Sequence, residues 1–497
     1  SGKTLVGEAV RRLLGEPAIY LCTTRSLQRQ FLRDFPYAAL LMGRGNYPTL
    51  DYPHITAEDC NKRKVGDRVV CSWCHMVSRC PYEVAKAKAL GAPVAVLNTA
   101  YYLTEVNHVG RFGDRSLVIV DEADELESEI MRLLEVRLSA RLLKALNVGF
   151  PEHKTHPEDW DRWLQEQVIP ALEPYAKELQ REAERRPKDL ALQRQARSAA
   201  RTLQAVRRVA GNLSAEQARW VYVDPERSDD GSVTFKPVRV DQEAPSFVWR
   251  HAQRWLLMSA TIISASQLAA DLGLEGDQWR FVRVPSTFPR ENRPIYVPLK
   301  DIPAVTRKTA EADWPRLVEA LDRILDAYPD ERVLVHTVSY ALARYVAEHS
   351  RHRGRLIRYD QAADRDLALA AFRERPGAVL VAPSMERGID LPDDEARVVV
   401  VLKIPYPALD KQVATRVYGT RGGETWYRVQ TVRRLVQMTG RAVRSETDWA
   451  HTYILDAQFL ELRKKARGLF PRWWEEAVIF TGEVVTGGRA GSQEAAG

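Results

Sequence analysis

Apolar residues along this chain switch repeatedly between two spacings, and the switching occurs in two separate blocks. Near the start, Leu5, Val6, Ala9, Val10 and Leu13 recur at helical spacing, with Gly15 and Pro17 as stop signals. Further on, Ser116 to Val120 form a short, β-rich, continuously apolar run of the kind that is buried on both faces. After about residue 290 the pattern resumes. "RPIYVPL", "RVLVHT", "GAVLVAP", "ARVVVVLKIPYP" and "HTYILD" read as strands, with amphipathic stretches such as "WPRLVEALDRILDAY" between them. Alternating strands and helices of this kind predict an α/β protein with two parallel-sheet domains.

The blocks are separated by sequence of a different character. "EPYAKELQREAERRPKDLALQRQARSAARTLQAVRRVAG" is charged and helix-forming, with Pro187 as a break, and "WVYVDPERSDDGSVTFKPVRV" predicts a hairpin turned at Asp230-Gly231. The tail after residue 485 is small and polar, which predicts disorder. No internal repeat or heptad pattern is present. No apolar run approaches the roughly 20 residues that span a bilayer. Across 497 residues, 45% hydrophobic and 28% charged describe a soluble globular chain of three or four units. A net charge of +7 permits a polyanionic partner, and a solvated basic surface accounts for it equally well.

Chemistry enters at the first residues. Gly2-Lys3-Thr4 is the closing half of a phosphate loop, G-x-x-x-x-G-K-[ST], followed by the expected helix. There, backbone N–H groups attract phosphate, Lys3 neutralises the β/γ oxygens and Thr4 holds Mg²⁺. The chain opens inside the loop, so a fragment of a longer protein, or a truncated reading frame, is expected, with impaired nucleotide affinity. The partner motif is "RSLVIVDEADELE", whose strand delivers Asp121 and Glu122 to its C-terminal end. Asp121 is suited to hold Mg²⁺ and Glu122 to orient and deprotonate water. In the second block, "QMTGRAVRSETD" places Gln437, Gly440, Arg441 and Arg444 in a Q-x-x-G-R-x-x-R pattern. Arg441 and Arg444, three residues apart on a helix, share a face and suit a γ-phosphate.

Four of the five cysteines, Cys60, Cys71, Cys74 and Cys80, fall within one stretch with spacing C-x10-C-x2-C-x5-C. Clustered thiolates in a chain otherwise poor in cysteine suit a metal centre better than disulfides, and the ligand type alone leaves Zn²⁺ and iron–sulfur both open. Cys80 is followed by Pro81, as in ferredoxin-type runs. Lys62, Arg63, Lys64 and Arg68 lie in the same insert, suited to offset the charge of a thiolate centre or to touch a polyanion. Cys22 sits in an apolar strand and reads as core.

Taken in order, these motifs resemble the XPD/DinG family of iron–sulfur DNA helicases within superfamily 2, across nearly the whole chain. "YLCTTRSLQRQF", "GRGNYP", "VAVLNTAYYL", "LLMSATI", "STFPRENRP", "APSMERGIDLPDD" with "KIPYP", and the glutamine–arginine box fall in the family's sequence. The resemblance implies RecA-like motor domain 1 over 1–50, 92–127 and 249–288. It implies a [4Fe–4S] insert over 51–91 ligated by Cys60, Cys71, Cys74 and Cys80. A mainly helical, arch-like insert follows over 128–248, then RecA-like motor domain 2 over 289–485 and a disordered tail over 486–497. The implied activity is ATP- and Mg²⁺-dependent translocation on single-stranded DNA, 5′→3′, with unwinding of duplex and DNA junctions by a monomeric, cytoplasmic motor without a membrane.

In that scheme Gly2, Lys3, Thr4, Asp121 and Glu122 act on the nucleotide with Gln437, Arg441 and Arg444. Ser259 and Thr261, with Gly388 and Asp390, transmit its state to DNA, and Arg25, Tyr101 and Tyr102 are candidate DNA contacts. Two positions depart from the family. Asp124 gives DEAD where most members have DEAH, and Arg387 stands where an acidic residue is usual; both put coupling strength in question. Two alternatives stay open: a DEAD-box-like RNA helicase with a zinc insert, and a DNA-binding remnant that has lost turnover.

Overall fold

The computed structural model describes residues 2–60, 62–65, 68–113, 115–213, 219–228, 230–306, 309–383, 391, 393–440, 443 and 445–484. The side chains of Arg63, Lys64 and Arg68 also lie outside what is described. The chain divides into two compact units. One is Ser1–Arg280 with Ala408–Gly423, and the other is Phe281–Pro407 with Glu424–Gly497.

In the first unit, strands β1 (Ala18–Cys22), β2 (Ala39–Leu41), β5 (Val94–Asn98), β6 (Leu117–Asp121) and β10 (Arg254–Met258) form one parallel sheet in the order β10-β6-β1-β5-β2. β1 and β6 are buried at every position, which is why their sequences are continuous apolar runs as far as Cys22 and Val120. The helix Lys3–Leu14 lies against this sheet at Gly7, where an added Cβ would sit 3.2 to 3.4 Å from Met258, Ile119 and Tyr20. The side of that helix facing the protein differs from the one its periodicity predicts. Leu5, Val6 and Leu13 are exposed, while Gly7 and Glu8 are buried. The close approach that Gly7 permits, and the Glu8 carboxylate clasped by Arg11 and Arg12, set the docked face instead.

Two inserts leave this sheet. The first carries the cysteines and contains the antiparallel pair β3 (Lys62–Val65) and β4 (Arg68–Cys71), followed by the helix Pro81–Gly91. The second combines the helices Ile169–Arg185 and Leu190–Val209 with a three-stranded antiparallel sheet of β7 (Val136–Leu138), β8 (Trp220–Val223) and β9 (Val233–Pro237), in the order β7-β9-β8. The two helices break at the segment containing Pro187, and Asp189 caps the second by accepting from the Leu192 N–H. Trp160 and Trp163 are buried beneath them, with Tyr222 and Phe235 packed on Trp160. The hairpin expected around Asp230-Gly231 is β8–β9, with a longer connection than a two-residue turn.

The second unit is built on a seven-stranded sheet, every pair parallel, in the order β13-β14-β12-β15-β16-β11-β17. Its strands are β11 (Ile295–Pro298), β12 (Val333–His336), β13 (Leu356–Arg358), β14 (Val379–Ala382), β15 (Val398–Val401), β16 (His451–Ile454) and β17 (Val478–Thr481). β12, β14 and β15 are fully buried, and Leu317, Leu321, Ile324 and Leu325 of the helix Ala310–Ala327 cover one face. No helix among the described residues is long and apolar enough to cross a membrane.

Glu8 supplies a test of the first helix. Burial raises its pKa, but hydrogen bonds with Arg11, Tyr37 and Arg12 outweigh burial and hold it down to about 2. A folded-state pKa below the unfolded value stabilises above about pH 4.5, and that contribution disappears as pH falls toward 2. Glu8→Gln is therefore expected to lower stability by about 1 kcal/mol at pH 7, after allowance for solvent screening, with the difference vanishing in acid, as read by denaturant unfolding at several pH values.

Candidate nucleotide site and thiolate centre

Sheet register assembles the first site. Leu21 pairs with Val120 on one side of β6, and Leu257 and Met258 pair with Val120 and Asp121 on the other. The residues that follow β6 and β10 therefore emerge side by side at the strands' C-terminal ends. Ser259 Oγ donates to Glu122 Oε2 at 3.3 Å, and Thr261 Oγ1 donates to Asp124 Oδ2 at 2.9 Å. Thr261 N–H also donates to Ser259 Oγ at 3.1 Å, so the two hydroxyl residues act as one piece. Asp124, the departure from DEAH, is thus a buried carboxylate held by Thr261.

Lys3 reaches the same point from the start of its helix, where Gly2 has the left-handed φ of 69°. Its Nζ lies 2.5 Å from Glu122 Oε1 and 3.3 Å from Asp121 Oδ1. Burial alone would lower the Lys3 pKa, yet the negative charges of Glu122 and Asp121 outweigh it and raise the value. Glu122 itself has φ 53°, an uncommon conformation for a residue with a side chain, and its N–H donates to Asp121 Oδ1 at 3.0 Å.

Tyr20 is a participant that the sequence does not reveal. It is 1% exposed within β1 and looks like core, but its hydroxyl donates to Asp121 Oδ2 at 3.1 Å and is hydrogen-bonded by Thr4. The two residues expected to hold Mg²⁺, Thr4 and Asp121, are therefore joined through one phenol. Burial and the Asp121 charge push the Tyr20 pKa well up, which keeps it a neutral donor.

Of the remaining candidates, Gln437 is half-buried near the end of the helix Gly423–Thr439 in the second unit. Gly388, Asp390, Arg441 and Arg444 lie outside the described residues, as does Arg387. Arg25, exposed at the start of the helix Arg25–Asp34, donates to Asn46 Oδ1 at 2.7 Å. Tyr101 is half-buried, its hydroxyl 2.7 Å from that of Tyr82. Tyr102 is corrected: it is 0% exposed, its ring set edge-on to Trp255, and it has no face left for a base. Tyr102 lies on the helix Thr99–His108, which Asn98 caps by accepting from the Ala100 and Tyr101 N–H groups.

The cysteines form the second site. The sulfurs of Cys60, Cys71 and Cys74 lie within 4.8 Å of one another, with Cys60 and Cys74 buried. Tetrahedral Zn–S bonds place sulfurs about 3.8 Å apart, so this separation suits ligands that share a centre. Cys80 is buried beside them in sequence, at the start of the helix Pro81–Gly91, and is not one of the three sulfurs that lie within 4.8 Å of one another. The Cys60 thiol donates to Cys71, and together with the Trp73 and Cys74 N–H groups it draws the Cys71 pKa down to about 5 while Cys60 rises. The donor set fits a thiolate-held metal centre.

The surroundings of the centre are polar and tied to other elements. Arg44 donates to the Cys60 carbonyl at 2.9 Å, and Lys62 pairs with Glu83. Asp59, 4% exposed and adjacent to Cys60, accepts from Arg194 Nε at 2.7 Å and Nη2 at 2.9 Å on the helix Leu190–Val209. That fork ties the cysteine insert directly to the helical insert.

Comparison with known proteins shows what this chain is similar to. Residues 321–477 match the family pattern described as "Helicase C-terminal domain". The chain is 24% identical over 269 residues to the ATP-dependent DNA helicase DinG of Photobacterium profundum, covering 50% of this chain and 38% of that protein. It is 33% identical over 118 residues to the Fanconi anemia group J protein homolog of Gallus gallus, covering 21% of this chain and 9% of that one. A solved XPD helicase structure superposes with a TM-score of 0.58 at 17% identity, covering 97% of this chain and 94% of the other. The chain thus spans less than half the length of these two curated relatives. Residues 321–477 are similar to a helicase C-terminal domain, and the fold of the chain resembles that of the solved XPD helicase.

Removing the most acidic thiol tests the centre. Cys71→Ser is expected to lower the metal content of the purified protein, measured by elemental analysis, whereas Cys22→Ala, in the core of β1, should leave it unchanged.

Proposed function

We propose that this chain is the motor of an ATP-dependent DNA helicase. The observation that carries the reading is the convergence of Lys3, Asp121 and Glu122 at one strand end, braced by Ser259, Thr261 and Tyr20. Gly2 and Lys3 bind the phosphates of ATP. Glu122 holds and deprotonates the attacking water. Mg²⁺, when bound by Thr4 and Asp121, supplies charge neutralisation on the phosphate oxygens. Gln437, Arg441 and Arg444 of the second unit serve the transferred γ-phosphate, and Gly388 and Asp390 join Ser259 and Thr261 in passing its loss on to DNA.

Single-stranded DNA is the track, followed 5′→3′, and duplex and junctions are what the motor opens, as a cytoplasmic monomer. Arg25 and Tyr101 are contacts to that strand, with basic groups for phosphate and aromatic faces for bases. Cys60, Cys71, Cys74 and Cys80 hold a [4Fe–4S] cluster, which supplies rigidity to the insert rather than a reaction step.

ATP hydrolysis with and without single-stranded DNA tests the reading, both for this chain and for a form with residues completing G-x-x-x-x-G-K-T ahead of Gly2. DNA stimulation is expected, and Lys3→Ala or Glu122→Gln should lower kcat by about 100-fold or more. Silence of both forms would favour a DNA-binding remnant. RNA-selective stimulation together with zinc in place of iron and inorganic sulfide would favour a DEAD-box-like RNA helicase.

Tyr20→Phe should leave the fold intact. By removing one hydrogen bond behind Asp121, it should raise the Mg²⁺ concentration for half-maximal activity by about fivefold.

A further inference from the structure

The segment Ala408–Gly423 comes late in the chain yet belongs to the first unit. Its helix Lys411–Gly419 is docked by polar side chains that are almost completely buried. Arg416 is 3% exposed and lies 2.6 Å from Glu127 Oε1 and 2.6 Å from Asp271 Oδ1, while its Nη1 donates to the Val238 carbonyl at 2.9 Å. Gln412 donates to the Pro237 carbonyl at 2.6 Å, and Lys411 Nζ stands 3.2 Å over the Tyr222 ring. Pro237, Val238 and Tyr222 belong to the β8–β9 hairpin of the helical insert or directly follow it.

The two carboxylates sit at informative places. Glu127 is on the helix Leu126–Leu134, which directly follows Asp121, Glu122 and Asp124. Asp271 ends the helix Ala265–Asp271, which follows Ser259 and Thr261. Arg416 therefore bridges the same two chain segments that the Thr261–Asp124 hydrogen bond joins at the nucleotide site. Both carboxylates are 5% exposed or less. Burial, with the Glu127 charge added, pushes Asp271 up to about 7, so the guanidinium is what allows the pair to stay together.

The exit from this segment is equally constrained. Gly422 has φ 80°, and a Cβ on Gly423 would fall 1.9 Å from the Arg416 carbonyl oxygen. The turn thus closes directly on the backbone of Arg416. From it starts the helix Gly423–Thr439, which carries Gln437.

We propose that Arg416 is a positioning residue for the ATPase: it clamps the helices behind Asp124 and Thr261 and, through the glycine turn, passes their relative position to the helix bearing Gln437. The inference rests on the ATPase reading above. The helix Lys411–Gly419 is not itself part of the reacting site. It fixes how the parts that react move together.

The test compares Arg416→Met with the triple variant Arg416→Met/Glu127→Gln/Asp271→Asn, which removes all three buried charges, in whichever of the two forms described above hydrolyses ATP. Arg416→Met should cut the DNA-stimulated kcat about tenfold, with KM for ATP and the DNA-independent rate within about twofold of the parent. It should also lower the unfolding midpoint, since two buried carboxylates lose their cation. The triple variant should regain the midpoint without regaining stimulation. Stimulation restored along with stability would reduce Arg416 to a structural role, and full stimulation of Arg416→Met would overturn the inference outright. A parent that hydrolyses no ATP in either form would instead sink the reading of the site, and this inference with it.

Discussion

Parallel pairing of β1, β6 and β10 is the constraint on which the nucleotide site depends. Because these strands run the same way, their C-terminal ends lie along one edge, and the register that pairs Met258 with Asp121 sets Ser259 beside Glu122. Nothing in the individual side chains requires that meeting. An antiparallel β10 would carry Ser259 and Thr261 to the opposite end of the sheet, far from any carboxylate. The charge arrangement follows from the same geometry. A lysine is brought between two acids in a half-buried place, where their combined field outweighs the cost of burying its ammonium group.

The parts of the fold legible in the sequence are those whose burial is uniform. β6, β12, β14 and β15 could be read directly because strands covered on both faces carry apolar residues at consecutive positions. β13 escapes that reading, being three residues long and half-exposed, and so does β17 at the sheet edge, with Ile479 and Phe480 in solvent. The first helix misleads for a different reason. Its docked face is chosen by the absence of a side chain at Gly7, a signal that hydrophobic periodicity does not register.

At the sites, the motif residues could be named from their spacing, but their supports could not. Tyr20 has the appearance of strand core, and its role comes from a single hydroxyl aimed at Asp121. Tyr102, taken with Tyr101 as an aromatic pair, points into the sheet because adjacent residues on a helix face different directions. Arg416, in "DKQVATRVYG", looks like one more solvated cation. Its partners Glu127 and Asp271 are distant in sequence, and no local pattern reports them. The thiolate centre shows the same division. Four cysteines announce themselves, whereas the Asp59–Arg194 fork that joins their insert to the helical one depends on tertiary structure alone.

The pairing of β7 with β9 has a bearing on how such a chain acquires its shape. Leu117 and Arg254 are partners in the central ladder, although the whole helical insert is threaded between them. Closing a flexible loop of that length grows costlier by about 0.6 kcal/mol with each doubling. Val136 meets Phe235 across the β7–β9 ladder, which pinches the insert at its neck and returns the chain close to where it left. With the neck zipped, β10 lies only a short connection away from β6, so the insert adds little to the loop-closure cost of the central ladder.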